Sequence, residues 1–237
     1  MKDIGTIIWK EGKDLLFSRG RLELIRPLIF IAILGIFLPL NIGIQWLTLP
    51  APVILIILYI PFIFILNYIA DAIAGERERH TLETLLASRV SDQAILIGKV
   101  IVTVGYGWGM GLASLMLGLV IVNLFRGQGR WQFYTPVGLL LAILLVSLLI
   151  SLLAASGGVL VSLRTATVRQ AQQTLLLGTL VLGVLIVLAL EAVPSSLISA
   201  LSSQQILLIV ISALVVLDAI LMGISLASFH RSKLILS

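Results

Sequence analysis

The chain predicts an all-α integral membrane protein, on three observations. Of its 237 residues, 59% are hydrophobic and only 11% charged, and the mean hydropathy of +1.17 lies far from that of a water-soluble domain. The apolar residues gather in six windows, each near the roughly 20 residues a helix needs to cross a hydrocarbon core of about 30 Å. Strand-like alternation is absent from these windows, so a helical bundle is expected rather than a membrane barrel.

Before the first window, Ile4, Ile7, Ile8, Trp9, Leu15 and Leu16 are set against Lys2, Lys10, Lys13 and Asp14. This pattern predicts an amphipathic helix lying in the inner membrane interface, and its alternative is a helix packed on the bundle. Ser18-Arg19-Gly20 then turns the chain, so residues 1–26 form a helix and elbow. The acids Asp3, Glu11, Asp14 and Glu23, with no small-residue cleavage site, make this segment a retained part of the protein and not a signal peptide.

The six predicted spans are Pro27–Trp46, Val53–Ala74, Val100–Phe125, Val137–Leu163, Leu175–Leu190 and Ile206–Ala227. Pro39 and Pro61 lie inside spans one and two and are expected to kink them. Gly105, Gly107, Gly109 and Gly111 place two small-xxx-small pairs on span three, where a neighbouring backbone can come close. They do not form a nucleotide loop, since no strand precedes them and no Gly-Lys-Ser/Thr follows. Ser91 reads as the N-cap of span three, with Asp92 at its positive end. Residues 191–204 read equally as an ordinary outer loop or as short helices dipping into the bilayer, with Pro194 interrupting the path and Glu191 ending span five. No repeat of 20 to 50 residues is present, and residues 1–237 read as one membrane domain.

Six spans put both termini on one side, and the basic residues say which. Lys2, Lys10, Lys13, Arg19, Arg21 and Arg26 precede span one, and Arg77, Arg79, Arg89 and Lys99 follow span two. Arg164 and Arg169 follow span four, Arg231 and Lys233 follow span six, and only Arg126 and Arg130 fall on the opposite side. A cytoplasmic placement of both termini in an inner (plasma) membrane is expected. Topology thus accounts for the net charge of +5 without nucleic acid. Trp46, Trp131 and Tyr134 are expected as aromatic anchors at the outer interface and Trp9 at the inner one. The absence of cysteine excludes disulfides, thiol chemistry and thiolate metal sites.

Between spans two and three the pattern changes from apolar to amphipathic over residues 75–92. Leu82, Leu85 and Leu86 cluster at helical spacing among Glu76, Arg77, Glu78, Arg79 and Glu83. Arg79 and Glu83 are spaced to pair on a helix surface, but such a pair is worth only a few tenths of a kcal/mol, too little to make the cluster a stability device. A short helix of this kind suits docking on a soluble partner. The plain alternative is a solvated loop that only sets topology.

The run Glu76-Arg77-Glu78-Arg79-His80-Thr81-Leu82-Glu83-Thr84-Leu85-Leu86, followed by Ser91 and Gly98-Lys99, resembles the signature between spans two and three of ABC-2 type transporter permeases. That pattern alternates acidic and basic residues, continues with Gly-Thr-Leu-Glu and two leucines, turns on small residues and opens the next helix with Gly-Lys. About 25 residues match closely, and His80 departs from the pattern where glycine is usual. The resemblance implies that Glu76, Arg77, Glu78, Arg79, Thr81, Leu82, Glu83, Leu85 and Leu86 form a coupling helix seated on an ATPase subunit. It places a second cytoplasmic contact at Arg164, Thr165, Arg169 and Gln170, where the sequence itself equally supports a topogenic loop.

The resemblance further implies an exporter permease that is half of a translocation pathway, paired with a second permease chain, identical or homologous, and with two ATPase subunits. No Gly-x-x-x-x-Gly-Lys-Ser/Thr occurs in the chain, so the chain itself binds no cofactor and ATP with Mg is expected in the partner. His80 and His230 lack the spacing of a zinc site, and no serine and histidine can be paired at membrane depth. Asn67 and Asp218 are the polar residues of note inside the spans. An acid at that depth must face protein or water; substrate, proton or cation contact is one reading, and a hydrogen bond to Ser212, Ser225 or a neighbouring helix the other. The rival functions are a secondary transporter, which needs inverted repeats and more midplane ionisable groups, a membrane scaffold, and a haem-exporter-like permease of cytochrome c maturation.

Overall fold

The computed structural model describes residues 2–15, 21–79, 81, 90–127, 129–192 and 202–229, and the described residues are helical with connecting turns. Among them, five stretches are long and apolar enough to cross a membrane: Pro27–Thr48, Ile56–Glu78, Asp92–Arg126, Val137–Ser162 and Gln204–Ser228. The helices are α1 (Lys2–Lys13), α2 (Arg21–Ala32), α3 (Leu38–Ile42), α4 (Ala51–Ala70), α5 (Glu76–Glu78), α6 (Asp92–Arg126), α7 (Val137–Ser162), α8 (Val168–Ala192) and α9 (Ser203–Ser228). The predicted window Leu175–Leu190 lies inside α8. The segment between α8 and α9 falls largely outside the described residues.

Contacts group the chain into two compact units, Met1–Ile65 with Ala94–Leu152, and Leu66–Gln93 with Leu153–Ser237. In the first unit α1 turns its apolar row inward: Ile7, and Leu15 just past the helix end, are buried, whereas Trp9 is 76% exposed. The row seats on the first turns of α6 because residue 98 is glycine; a Cβ there would lie 2.5 Å from the Ile7 side chain. Beside it, Lys99 Nζ donates to Glu11 at 2.9 Å, with both side chains buried. The Gly-Lys that opens span three is therefore a socket for α1: one residue makes room and the next supplies the counter-charge.

The proline effects differ between the first two spans. Ahead of Pro39 the chain widens into a π-turn over Ile33–Phe37, in which the Leu38 N–H donates to the Ile33 carbonyl. A proline cannot donate into the α-helical ladder, and a wider turn is one way to absorb the gap. A 3-10 turn over Gly43–Thr48 then ends the span, and Leu49 takes a left-handed conformation at φ +51° before α4 begins. Pro61 instead lies within continuous α4, and its ring and carbonyl fill a groove left by Gly107 and Gly111 of α6. The expected pairs of small residues thus divide: Gly107 and Gly111 give close packing, while Gly105 and Gly109 meet nothing within 4 Å.

The far end of this unit corrects the assignment of two aromatic anchors. Trp46 and Tyr134 are 1% and 6% exposed, in a core with Leu47, Val53, Ile57, Leu115 and Val122, and only Trp131 stays outside. Gly118 opens the space for the indole, as a Cβ there would come within 2.7 Å of Trp46 Nε1. The indole N–H donates to the Tyr134 hydroxyl at 3.0 Å, which donates in turn to the Leu115 carbonyl at 2.8 Å. Asn123 secures the adjoining connection, accepting the Gln132 N–H at 2.6 Å and donating to the Gln132 carbonyl at 2.8 Å. Hydropathy places an aromatic at the membrane boundary, but whether it faces lipid or protein depends on the glycine opposite.

In the second unit, Gly158 of α7 admits the Ile69 side chain of α4. The Ser225 hydroxyl of α9 donates to the Ser156 carbonyl of α7 at 3.1 Å. α9 begins with a capping box, Ser202 accepting the Gln205 N–H while the Gln205 side chain accepts the Ser202 N–H. This reciprocal pair satisfies donors that a helix start otherwise leaves open.

Candidate functional site

The charged segment predicted between spans two and three starts from a second π-turn, Asp71–Gly75, which runs directly into α5. Gly75 sits beneath an ion pair in which Arg79 donates to Asp71 at 3.3 Å. A Cβ on Gly75 would lie 2.5 Å from Asp71 Oδ1 and 2.9 Å from Arg79 Nη2, so the pair spans a gap that only a missing side chain leaves. The expected partner of Arg79, Glu83, lies outside the described residues.

Glu76 is buried, and its carbonyl accepts both the Thr81 N–H at 2.9 Å and the Thr81 hydroxyl at 3.2 Å. Thr81, the first residue of the Thr-Leu-Glu element, therefore closes the turn that follows α5. Leu82, Glu83, Leu85 and Leu86, together with His80, lie outside the described residues.

Arg77 and Glu78 reach from α5 to the second predicted contact. The Arg77 guanidinium donates to the carbonyls of Thr165 at 2.8 Å and Leu163 at 3.1 Å, just beyond the end of α7. The Glu78 carboxylate accepts the N–H of Val168, the first residue of α8, at 3.1 Å. Each charge meets the helix end it complements, a cation where carbonyls are left over and an anion where N–H groups are. Two segments 86 to 90 residues apart in sequence are thereby stapled together.

Residues 162–170 are otherwise organised by their own caps. Thr165 is buried, with its hydroxyl directed to the Ser162 carbonyl at 3.4 Å. Thr167 Oγ1 accepts the Gln170 N–H at 3.2 Å, and the Gln170 side chain accepts the Ala166 N–H at 3.3 Å. Of the four predicted residues here, Thr165 and Gln170 thus serve the local fold, while Arg164 and Arg169 are exposed. The sequence pattern includes Gly75 in the charged segment and Thr167 and Val168 in the second loop without giving them a role, and nothing in it singles out Asp71 or Leu163 as partners. A signal existed for one of them, since Thr167-x-x-Gln170 has the spacing of a capping box. Backbone partners such as Leu163 and Val168 carry no side-chain signature and could be found only in three dimensions.

The intramembrane polar residues are not part of this arrangement. Asn67 lies exposed on α4, and Asp218 lies in α9. Among the described residues no group of three histidine, aspartate or glutamate side chains is placed to hold a metal ion.

The arrangement is a charged turn hydrogen-bonded to the ends of two long apolar helices, with Arg79, Arg164 and Arg169 left at the surface. A search of curated proteins finds no significant match. Residues 43–236 match the family described as ABC-2 family transporter protein, a span that includes the stapled turn and every crossing after the first, and the chain belongs to that family.

Proposed function

We propose that the chain is the permease subunit of an ATP-driven exporter, and that the stapled end of the second unit is where it receives motion from a separate ATPase. Membrane subunits of this family generally carry no catalytic site and work with an ABC ATPase. The observation that carries the reading is the Arg77–Glu78 staple, because force applied at either inner segment is delivered to the ends of α7 and α8 together. Packed helices shift between discrete arrangements, and a stiff lever is what such a shift requires. Arg79, Arg164 and Arg169 supply exposed cations for an acidic face of the ATPase.

In this reading α8 is the fifth crossing in chain order and brings the total to six. Beyond the buried Leu175, the side chains of Leu176, Leu177, Leu180, Val181, Val184, Leu185 and Leu188 are each more than half exposed, an apolar surface suited to lipid or to a second permease. Both termini are cytoplasmic, the membrane is the plasma membrane, and α1 lies at its inner face with Trp9 turned outward. Two permease chains, identical or homologous, complete the pathway with two ATPases that bind ATP and Mg.

The test is co-purification with a candidate ATPase followed by hydrolysis assays in lipid. Glu83→Lys and Leu85→Asp are expected to weaken assembly. Arg77→Met is expected to leave assembly in place while hydrolysis no longer responds to transport. If all three variants keep both assembly and transport-coupled hydrolysis, the reading fails.

A further inference from the structure

Asp218 stands apart from the other charged groups of its unit. It is the only ionisable residue of α9, and α7 contains none. The remaining charged residues described in the unit, Asp71, Glu76, Arg77, Glu78, Arg79, Asp92, Arg164 and Arg169, belong to the inner segments and the start of α6, and Glu191 closes α8 at its other end. From Asp218 to the end of α9 is about ten residues, or ~15 Å of helix, which sets it well inside the Gln204–Ser228 crossing.

Both carboxylate oxygens are shielded from solvent and have no hydrogen-bond partner among the described residues. The hydroxyls that the sequence offered as partners are engaged elsewhere. Ser212 donates to the Ile209 carbonyl at 2.9 Å, and Ser225 donates to the carbonyls of Leu221 at 2.8 Å and Ser156 at 3.1 Å. Asp218 shares the less exposed row of α9 with Ile211, Leu214, Met222 and Ser225, whereas Val215, Val216, Ile220 and Ile224 face outward. A carboxylate anion in this place would lack both water and donors. The neutral acid avoids nearly all of that desolvation cost, because burial penalises charge far more than polarity.

We propose that Asp218 is a proton-binding site at membrane depth. In the conformation described here the side chain is the neutral carboxylic acid, and its O–H bond breaks only when this row of α9 is opened to water, which accepts the proton. The site needs no ATPase and is independent of the coupling reading.

The experiment uses the full chain in lipid nanodiscs and dicyclohexylcarbodiimide, an apolar reagent. A protonated carboxyl adds across its C=N bond, and the O-acylisourea rearranges to a stable N-acylurea whose mass is read on the peptide containing Asp218. The expected result is an adduct at pH 6.5 that declines as the pH is raised toward 9, that a water-soluble carbodiimide does not reproduce, and that Asp218→Asn abolishes. The same variant should melt within about 2 °C of the parent, since it replaces one neutral group by another of like shape. No adduct at pH 6.5 in folded protein, equal labelling by the water-soluble reagent, or a large loss of melting temperature in Asp218→Asn would each overturn the proposal. Because labelling is read on the permease alone, its failure is distinct from failure of the coupling assay.

Discussion

The two units hold their charged contacts in opposite ways. In the first, Glu11 and Lys99 are buried together beneath α1, and in the second, Asp71 and Arg79 pair with side chains 24% and 58% exposed. A buried pair contributes little over an apolar replacement, yet removing one partner leaves a stranded charge; an exposed pair is screened and contributes at most about 1 kcal/mol. The buried pair resists change, while the Asp71–Arg79 pair can be remade at small cost even though the Arg77 and Glu78 contacts beside it hold the segment in place.

That contrast can be broken most forcefully at Lys99. Lys99→Met leaves Glu11 buried without its main counter-charge, and a destabilisation of about 3–5 kcal/mol is expected, with much of it recovered in Glu11→Gln/Lys99→Met. Thermal unfolding of the two variants in lipid, with recovery absent, would show that α1 is not held by this pair.

Next in size is Tyr134→Phe, which strands the Trp46 indole N–H in the core and is expected to cost about 1–3 kcal/mol. The same residue gives a pH signature. Burial pushes the Tyr134 hydroxyl up to about 12, partly opposed by the hydrogen bond from Trp46. The folded state therefore holds the proton more tightly than the unfolded chain, whose tyrosine titrates near 10. This contribution is fully present below pH 10 and is lost as the pH rises through 12. Unfolding followed from pH 9 to 12 should show this alkaline loss in the parent and not in Tyr134→Phe.

The smallest effect is expected at Gly75→Ala. The added methyl displaces the Asp71–Arg79 pair, worth under about 1 kcal/mol, while alanine gains a similar amount in helix propensity over glycine. Net stability should hardly move. A loss of several kcal/mol would mean that the charged end is held as firmly as the first unit.

Much of the fold was legible in the chain because hydropathy and charge act residue by residue. Windows of apolar residues forecast the helices, and the resemblance of residues 76–99 located the candidate site. Trp46 and Tyr134 were misread as boundary anchors because nothing in their own neighbourhood announces Gly118. Arg77 and Glu78 were expected to face a partner, and their intramolecular roles depend on backbone groups of residues 163, 165 and 168, which any residue type presents alike.

By itself, then, the sequence determined that this is a helical membrane protein, roughly where its crossings begin and end, and which segment carries its charge. These follow from transfer energies summed over local windows, which need no knowledge of neighbours. Only the tertiary structure decided which glycine admits which side chain, which charge is buried and which exposed, and that the segments around residues 76–81 and 162–170 are joined. Those outcomes rest on distance and geometry between residues far apart in the chain, where a gap of one methyl group or one carbonyl within reach selects the partner.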